Sequence, residues 1–199
     1  MKKLFLFLFL LATSVSVAAF AQTKWTVDPM HSFVNFSVKH SGISFVDGSF
    51  KKFEGTIEAS KTDLTDAKID FTVDVASIST SVEMRDNHLK SDDFFSAEKF
   101  PKMTFVSTSF VKRGLKSPKQ ETNIYVLKGK LTIKDVTKDV SFFVTYGGTA
   151  KDQQGNTKAG FMATTKINRL DYNINYDPTG AGIAKDINIT LNLQFAQAK

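Results

Sequence analysis

Between Asp186 and Phe195 the chain alternates without a fault, with Ile187, Ile189, Leu191, Leu193 and Phe195 apolar and Asp186, Asn188, Thr190, Asn192 and Gln194 polar. A period of two is the repeat of a β-strand with one buried and one wet face, and a slip of one residue would turn every apolar side chain outward. After Asp186 the polar members carry no charge, which suits a strand paired along both edges. The pattern recurs along the chain. Trp25 to Pro29 leads into Val34, Phe36 and Val38, a face that His40 continues. Gly42 and a Val46-Asp47-Gly48 turn then separate this run from Phe53, Gly55, Ile57 and Ala59, with which it is expected to form a hairpin. Ile69, Phe71, Val73 and Val75 make the third run. Later runs carry Met103 and Phe105, then Tyr125, Leu127, Leu131 and Ile133, then Val140, Phe142 and Val144, then Phe161, Ala163 and Ile167. Eight such runs joined by turns predict an all-β fold, an antiparallel sandwich or barrel, and closure into a barrel removes the exposed edges.

One passage breaks the rule. From Thr80 to Phe105 the chain lacks strand alternation, and Thr80 with Glu83 three residues later has the spacing of a capping box. The spacing predicts a short helix between the third and fourth strands, with Met84, His88 and Leu89 on one face and Arg85 beside Leu89. Phe94, Phe95 and Phe100 follow before Pro101, which cannot continue a helix. This passage is expected to close one end of the barrel as a lid and to control access of a ligand.

The chain opens with Met1-Lys2-Lys3, an apolar run from Leu4 to Leu11, and small residues ending in Ala19-Phe20-Ala21. That is the pattern of a secretory signal cleaved after Ala21, and it predicts a periplasmic or secreted domain over 22–199 with no stable membrane insertion. There is no cysteine, so the domain must be held by its core and not by disulfides. The formal charge of +6 falls to +4 without Lys2 and Lys3, and its basic residues are scattered. The densest basic patch, Lys112, Arg113, Lys116 and Lys119, lies in a loop without interleaved aromatics, which argues against nucleic acid.

Catalytic chemistry finds no footing in these residues. His31 and His40 are an odd number apart and would face opposite sides of one strand, and no further spacing suggests a metal. No nucleophile elbow is present, and Asp92-Asp93 reads as a solvated turn. The 19 phenylalanines are the conspicuous feature, against one tryptophan and four tyrosines. On inward strand faces they either fill a core or line a lumen wide enough for one elongated apolar ligand.

The motifs, taken together and in order, closely resemble the YceI-like family. They are Trp25-Thr26-Val27-Asp28-Pro29 with His31, Phe36 and His40, then Phe53-Glu54-Gly55, then Arg85-Asp86-Asn87-His88-Leu89 with Phe94-Phe95 and Pro101, then Gly129-Lys130-Leu131, then Asn168-Arg169-Leu170-Asp171-Tyr172. Asn173 stands where the family usually carries glycine, a change that left-handed backbone angles tolerate in Asn. The resemblance implies an eight-stranded, lipocalin-like antiparallel barrel that holds a polyisoprenoid or isoprenoid-quinone-like lipid in its lumen, for transport, storage or stress protection. It implies no enzymatic activity, cofactor or metal. A homodimer is among the states such a protein can adopt. On this reading Phe36, Phe53, Phe71, Phe94, Phe95, Phe105 and Phe142 contact the lipid tail, or else fill the core. Arg85, His88 and Arg169 stand at its polar end, or else tie the helix and the 168–172 turn to the rim. The alternatives are an enzyme acting on an isoprenoid lipid in the same cavity, and a secreted interaction protein whose filled barrel displays the loops 112–121 and 151–158.

Overall fold

The computed structural model describes residues 22–114 and 123–198. The expected signal segment and most of the 112–121 loop lie outside the described residues. In chain order the elements are β1 (Thr23–Val27), β2 (Phe33–His40), β3 (Ser44–Phe50), β4 (Phe53–Ala59), β5 (Lys68–Asp74), β6 (Ile78–Ser79), α1 (Glu83–Lys90), β7 (Lys102–Lys112), β8 (Ile124–Ile133), β9 (Val136–Lys151), β10 (Thr157–Asn168) and β11 (Ile183–Gln197).

Eight of these strands close a ring in the order β1, β4, β5, β7, β8, β9, β10, β11, and β1 returns to β11. Every pairing is antiparallel. The clean alternation of β11 is explained by its neighbours. Eleven of its fifteen residues, 186–196, pair with β10 on one edge, while the other edge is shared between β2, within Ile183–Asn192, and β1, against Phe195–Gln197. A slip of the whole strand would break three partnerships at once.

Two expectations about the N-terminal third need correcting. Val46-Asp47-Gly48 is not a turn but the middle of β3, which pairs with β2 along Val34↔Phe50 to His40↔Ser44. The runs at 34–40 and 53–59 therefore do not form a hairpin with each other, and β4 lies instead between β1 and β5. The true turn is Ser41-Gly42, both in left-handed conformation. Gly48 reads as a break because it has no side chain of its own, and the Phe36 ring across the strand pair fills the space.

Around the ring, α1 falls between the third strand, β5, and the fourth, β7. Its N-terminus is not a capping box: Val82 occupies the cap and makes no side-chain cap bond. Thr80 is buried and serves a different network. Its N–H donates to Asp86 Oδ1 (2.7 Å) and its hydroxyl to the same oxygen, while Arg85 donates from Nε to Thr80 Oγ1 (2.8 Å) and from Nη2 to the Thr80 carbonyl (3.0 Å). Arg85, Asp86, Leu89 and Lys90 are the half-buried residues of this short helix, while His88 is exposed and Met84, 84 % exposed, is turned away from the barrel.

The two ends of the barrel are closed differently. At one, the 60–67 loop tucks Leu64 and Ala67 into the core, and Tyr125 donates its hydroxyl to the Asp63 carbonyl (3.4 Å). At the other lie α1, the turns after it and the 169–182 segment.

Candidate functional site

The inward faces of the ring enclose a cavity of about 210 Å³ that touches Leu64 and Ala67 at one end and Leu89, Phe94 and Phe95 at the other. It therefore runs the length of the barrel. Its accessible lining is apolar throughout, although Asn35, Thr104 and Arg169 contribute to the wall. Ile187, Ile189, Leu191, Leu193 and Phe195, the faultless alternation of β11, form one stave of it.

Of the residues singled out in the sequence, Phe36, Phe71, Phe94, Phe95, Phe105, Phe142 and Arg169 line this lumen. Phe53 does not; it is buried behind Phe71, stacked on its ring at 5.7 Å. Phe105 and Phe142 meet edge to face at 5.5 Å. Phe36, Phe50 and Phe95 form a chain of rings from the β2 wall to the turn after α1. Phe110, Phe161 and Phe195 also line the lumen, and the alternation that marks Phe161 and Phe195 as inward was sufficient to find them.

Arg169 is 3 % exposed and sits where β10 ends in a 3-10 turn, Arg169–Tyr172. Each of its five N–H groups donates to a main-chain carbonyl: Nε to Ala184 (3.1 Å), Nη1 to Ile174 (2.8 Å) and Tyr176, Nη2 to Asp177 (2.6 Å) and Ile183 (2.9 Å). The guanidinium has no donor left for a ligand, and burial lowers its pKa while nearby Asp177 opposes that shift. Asn173 ends the turn in left-handed conformation, as its place in the motif requires. Asp177 organises the same loop from the other side. Thr179 Oγ1 and the amides of Gly182 and Ile183 donate to its carboxylate, which holds its pKa well below the usual range. Tyr172, buried against the lumen, has its phenol pushed up to about 12 by desolvation and by Asp171.

Arg85 and His88 are not part of the lumen lining. Arg85 is held by Thr80, and His88 Nε2 lies 2.9 Å from Asp93 Oδ2 at the surface. His88 meets Phe94 and Tyr176 edge-on, with all three ring centroids 4.9–5.0 Å apart. Because the Tyr176 carbonyl accepts from Arg169, this ring cluster joins the helix to the loop that Arg169 fixes. His31 lies in a 3-10 turn outside β2, with Nδ1 3.0 Å from Asp28, and shares no site with His40.

A ring of eight antiparallel strands around an apolar chamber, plugged at one end and covered by a helix at the other, places the molecule among the closed β-barrels with an internal ligand-sized cavity. The chain belongs to the YceI-like domain family, whose family model matches residues 25–195. It is 35% identical over 195 residues to Protein YceI of Salmonella agona, covering 98% of this chain and 96% of that protein. Among solved structures it is similar to Burkholderia cenocepacia BcnA, with a TM-score of 0.72 and 26% identity over 84% of this chain and 98% of that one. The polyisoprenoid binding domain from Saccharophagus degradans shares the fold at 13% identity, with a TM-score of 0.63 over 87% of this chain and 98% of that one.

Proposed function

We propose that this protein is an exported binding protein that carries or stores a polyisoprenoid lipid with its tail in the barrel lumen. The observation that carries the reading is the lumen itself, long, continuous and apolar on its whole accessible surface. Each buried methylene is worth about 0.8 kcal/mol, so a few isoprene units outweigh the cost of ordering a flexible chain. The fold shared with the Saccharophagus degradans domain, which is a polyisoprenoid binding domain, favours an isoprenoid among apolar ligands. With the donors of Arg169 all taken, the part of the ligand inside the lumen is uncharged, and any charged head group stays outside it. Residues 1–21 supply the export signal.

Native mass spectrometry of the purified protein mixed with geranylgeraniol tests the binding. A one-to-one adduct that survives gentle desolvation is expected, and its absence across micromolar to millimolar alcohol would overturn the proposal. N-terminal sequencing of protein recovered from the periplasm of a Gram-negative host is expected to begin at Gln22, and intact Met1 on that fraction would overturn the signal assignment.

A further inference from the structure

Three phenylalanines of the lumen wall lie over glycines of a neighbouring strand. A Cβ placed on Gly48 would stand 2.2 Å from Phe36 Cζ, one on Gly55 2.3 Å from Phe71 Cδ2, and one on Gly129 2.4 Å from Phe105 Cζ. Such separations are far inside van der Waals contact, so each ring occupies the space where any other residue's side chain would begin. Phe36 with Gly48 and Phe71 with Gly55 are direct cross-strand partners, and Phe105 reaches Gly129 diagonally, two residues from its own partner Leu131. None of the three glycines has a left-handed backbone, so the backbone does not require glycine at these positions; the ring does.

An inward phenylalanine on a barrel strand either projects toward the axis or folds sideways along the wall. The second arrangement needs an empty position on the next strand, and these glycines supply it on three separate strand pairs, β2/β3, β4/β5 and β7/β8. Phe71 is confined further. Phe53 stacks on one of its faces, so a methyl group at Gly55 leaves it only the direction of the lumen. We propose that the Gly48–Phe36, Gly55–Phe71 and Gly129–Phe105 pairs set the bore of the lumen, holding the rings flat so that a methyl-branched chain fits where a filled core would otherwise form. The proposal rests on the lumen-binding reading and adds to it the residues that select a branched tail over a thinner straight one.

Gly129 is unsuited to the test, because a Cβ there would also strike the Val106 carbonyl at 2.5 Å and disturb the sheet. At Gly48 and Gly55 the nearest atoms belong to the ring alone. Binding of geranylgeraniol and of hexadecanol to wild type, Gly48→Ala, Gly55→Ala and the double variant Gly55→Ala/Phe71→Ala, followed by titration calorimetry, decides the matter, with thermal unfolding of each variant as a check of folding. Gly55→Ala is expected to weaken the branched alcohol by about tenfold or more and the straight one by about threefold or less, and removing the Phe71 ring is expected to restore the branched ligand. Equal weakening of both alcohols, or undiminished binding by folded glycine variants, overturns the assignment. Wild-type protein that binds neither alcohol overturns the binding reading instead. The crystal structure of Gly55→Ala then still decides the bore: a Phe71 ring turned toward the axis is the expected result, and a ring still lying flat over the substituted position refutes it.

Discussion

Arg169 shows how a charged residue can be the least available group in a site. Removing it leaves five carbonyls of the 174–184 loop without their donors, beside a cavity that offers no polar replacement. Arg169→Met is therefore expected to destabilise the fold by about 3–5 kcal/mol, read by guanidinium denaturation, and Arg169→Lys should recover little of it because an ammonium has three donors in place of five. A cost under about 1 kcal/mol would show that the loop finds other partners. Asp177, in the same loop, carries a pH dependence. Its folded pKa is depressed by the Thr179 hydroxyl and by the amides of Ile183, Gly182 and Gly180, so the unfolded chain takes up the proton first as pH falls. The stabilisation is full above the ordinary carboxylate pKa of about 3.9 and is lost as pH drops through it toward the folded value. Urea unfolding from about pH 6 to pH 3 should show the gap between wild type and Asp177→Asn shrinking with acid, and a gap independent of pH would contradict the assignment. The sequence marks Arg169 through its motif, yet its role rests on main-chain acceptors, which carry no side-chain signature to read. Phe36, Phe71, Phe105 and Phe142 are legible because strand alternation alone fixes which way they point.

At the level of elements, α1 is bonded through its backbone to the turns after it, by Phe95 N–H to the Leu89 carbonyl and Ala97 N–H to the Lys90 carbonyl, and is joined to the 169–182 segment by rings. His88, Phe94 and Tyr176 form a closed triangle, and each aromatic contact of this kind contributes about 0.5–1.5 kcal/mol. Tyr176→Ala removes two of the three. Hydrogen exchange of the amides of residues 83–90 should then quicken by about tenfold or more while β9 and β10 keep their protection. If the same variant also takes up geranylgeraniol faster at unchanged affinity, α1 is the lid over the lumen; unaltered uptake by Tyr176→Ala and by the Arg85→Ala/Phe94→Ala/Phe95→Ala variant would assign the helix a purely structural part. The existence and ring position of α1 are legible from the loss of alternation between Ser81 and Phe100. Its cap is not, because Thr80 lies too early in the chain and is captured by Asp86, a tertiary arrangement that mimics the local motif in spacing only. Strand β3 is obscured for a related reason, since Gly48 and Asp47 look like a turn until the ring of Phe36 is seen to occupy the glycine.

The whole barrel sets where charge can sit when a lipid is bound. Closure by the five-residue β1 between β4 and β11 completes the ring around the lumen. Inside, a phosphate would find apolar surface and a guanidinium whose donors are all engaged. At the helix, Asp93 stands beside His88, and Arg85 is turned to Thr80. A head group outside the lumen contributes little affinity there, because exposed charge pairs are screened and worth about 1 kcal/mol or less. Geranylgeraniol and geranylgeranyl phosphate should accordingly bind within about tenfold of each other, a difference of about 1.4 kcal/mol. Both affinities should change little between about 50 and 500 mM salt, and both should show the negative heat-capacity change of apolar burial. Either ligand at about 100 times its dissociation constant should raise the unfolding free energy by about 2.7 kcal/mol, since the unfolded chain has no lumen to bind it. A preference for the phosphate beyond about a hundredfold that collapses with added salt would place a cation at the bound head group, and the uncharged-tail reading would then be wrong.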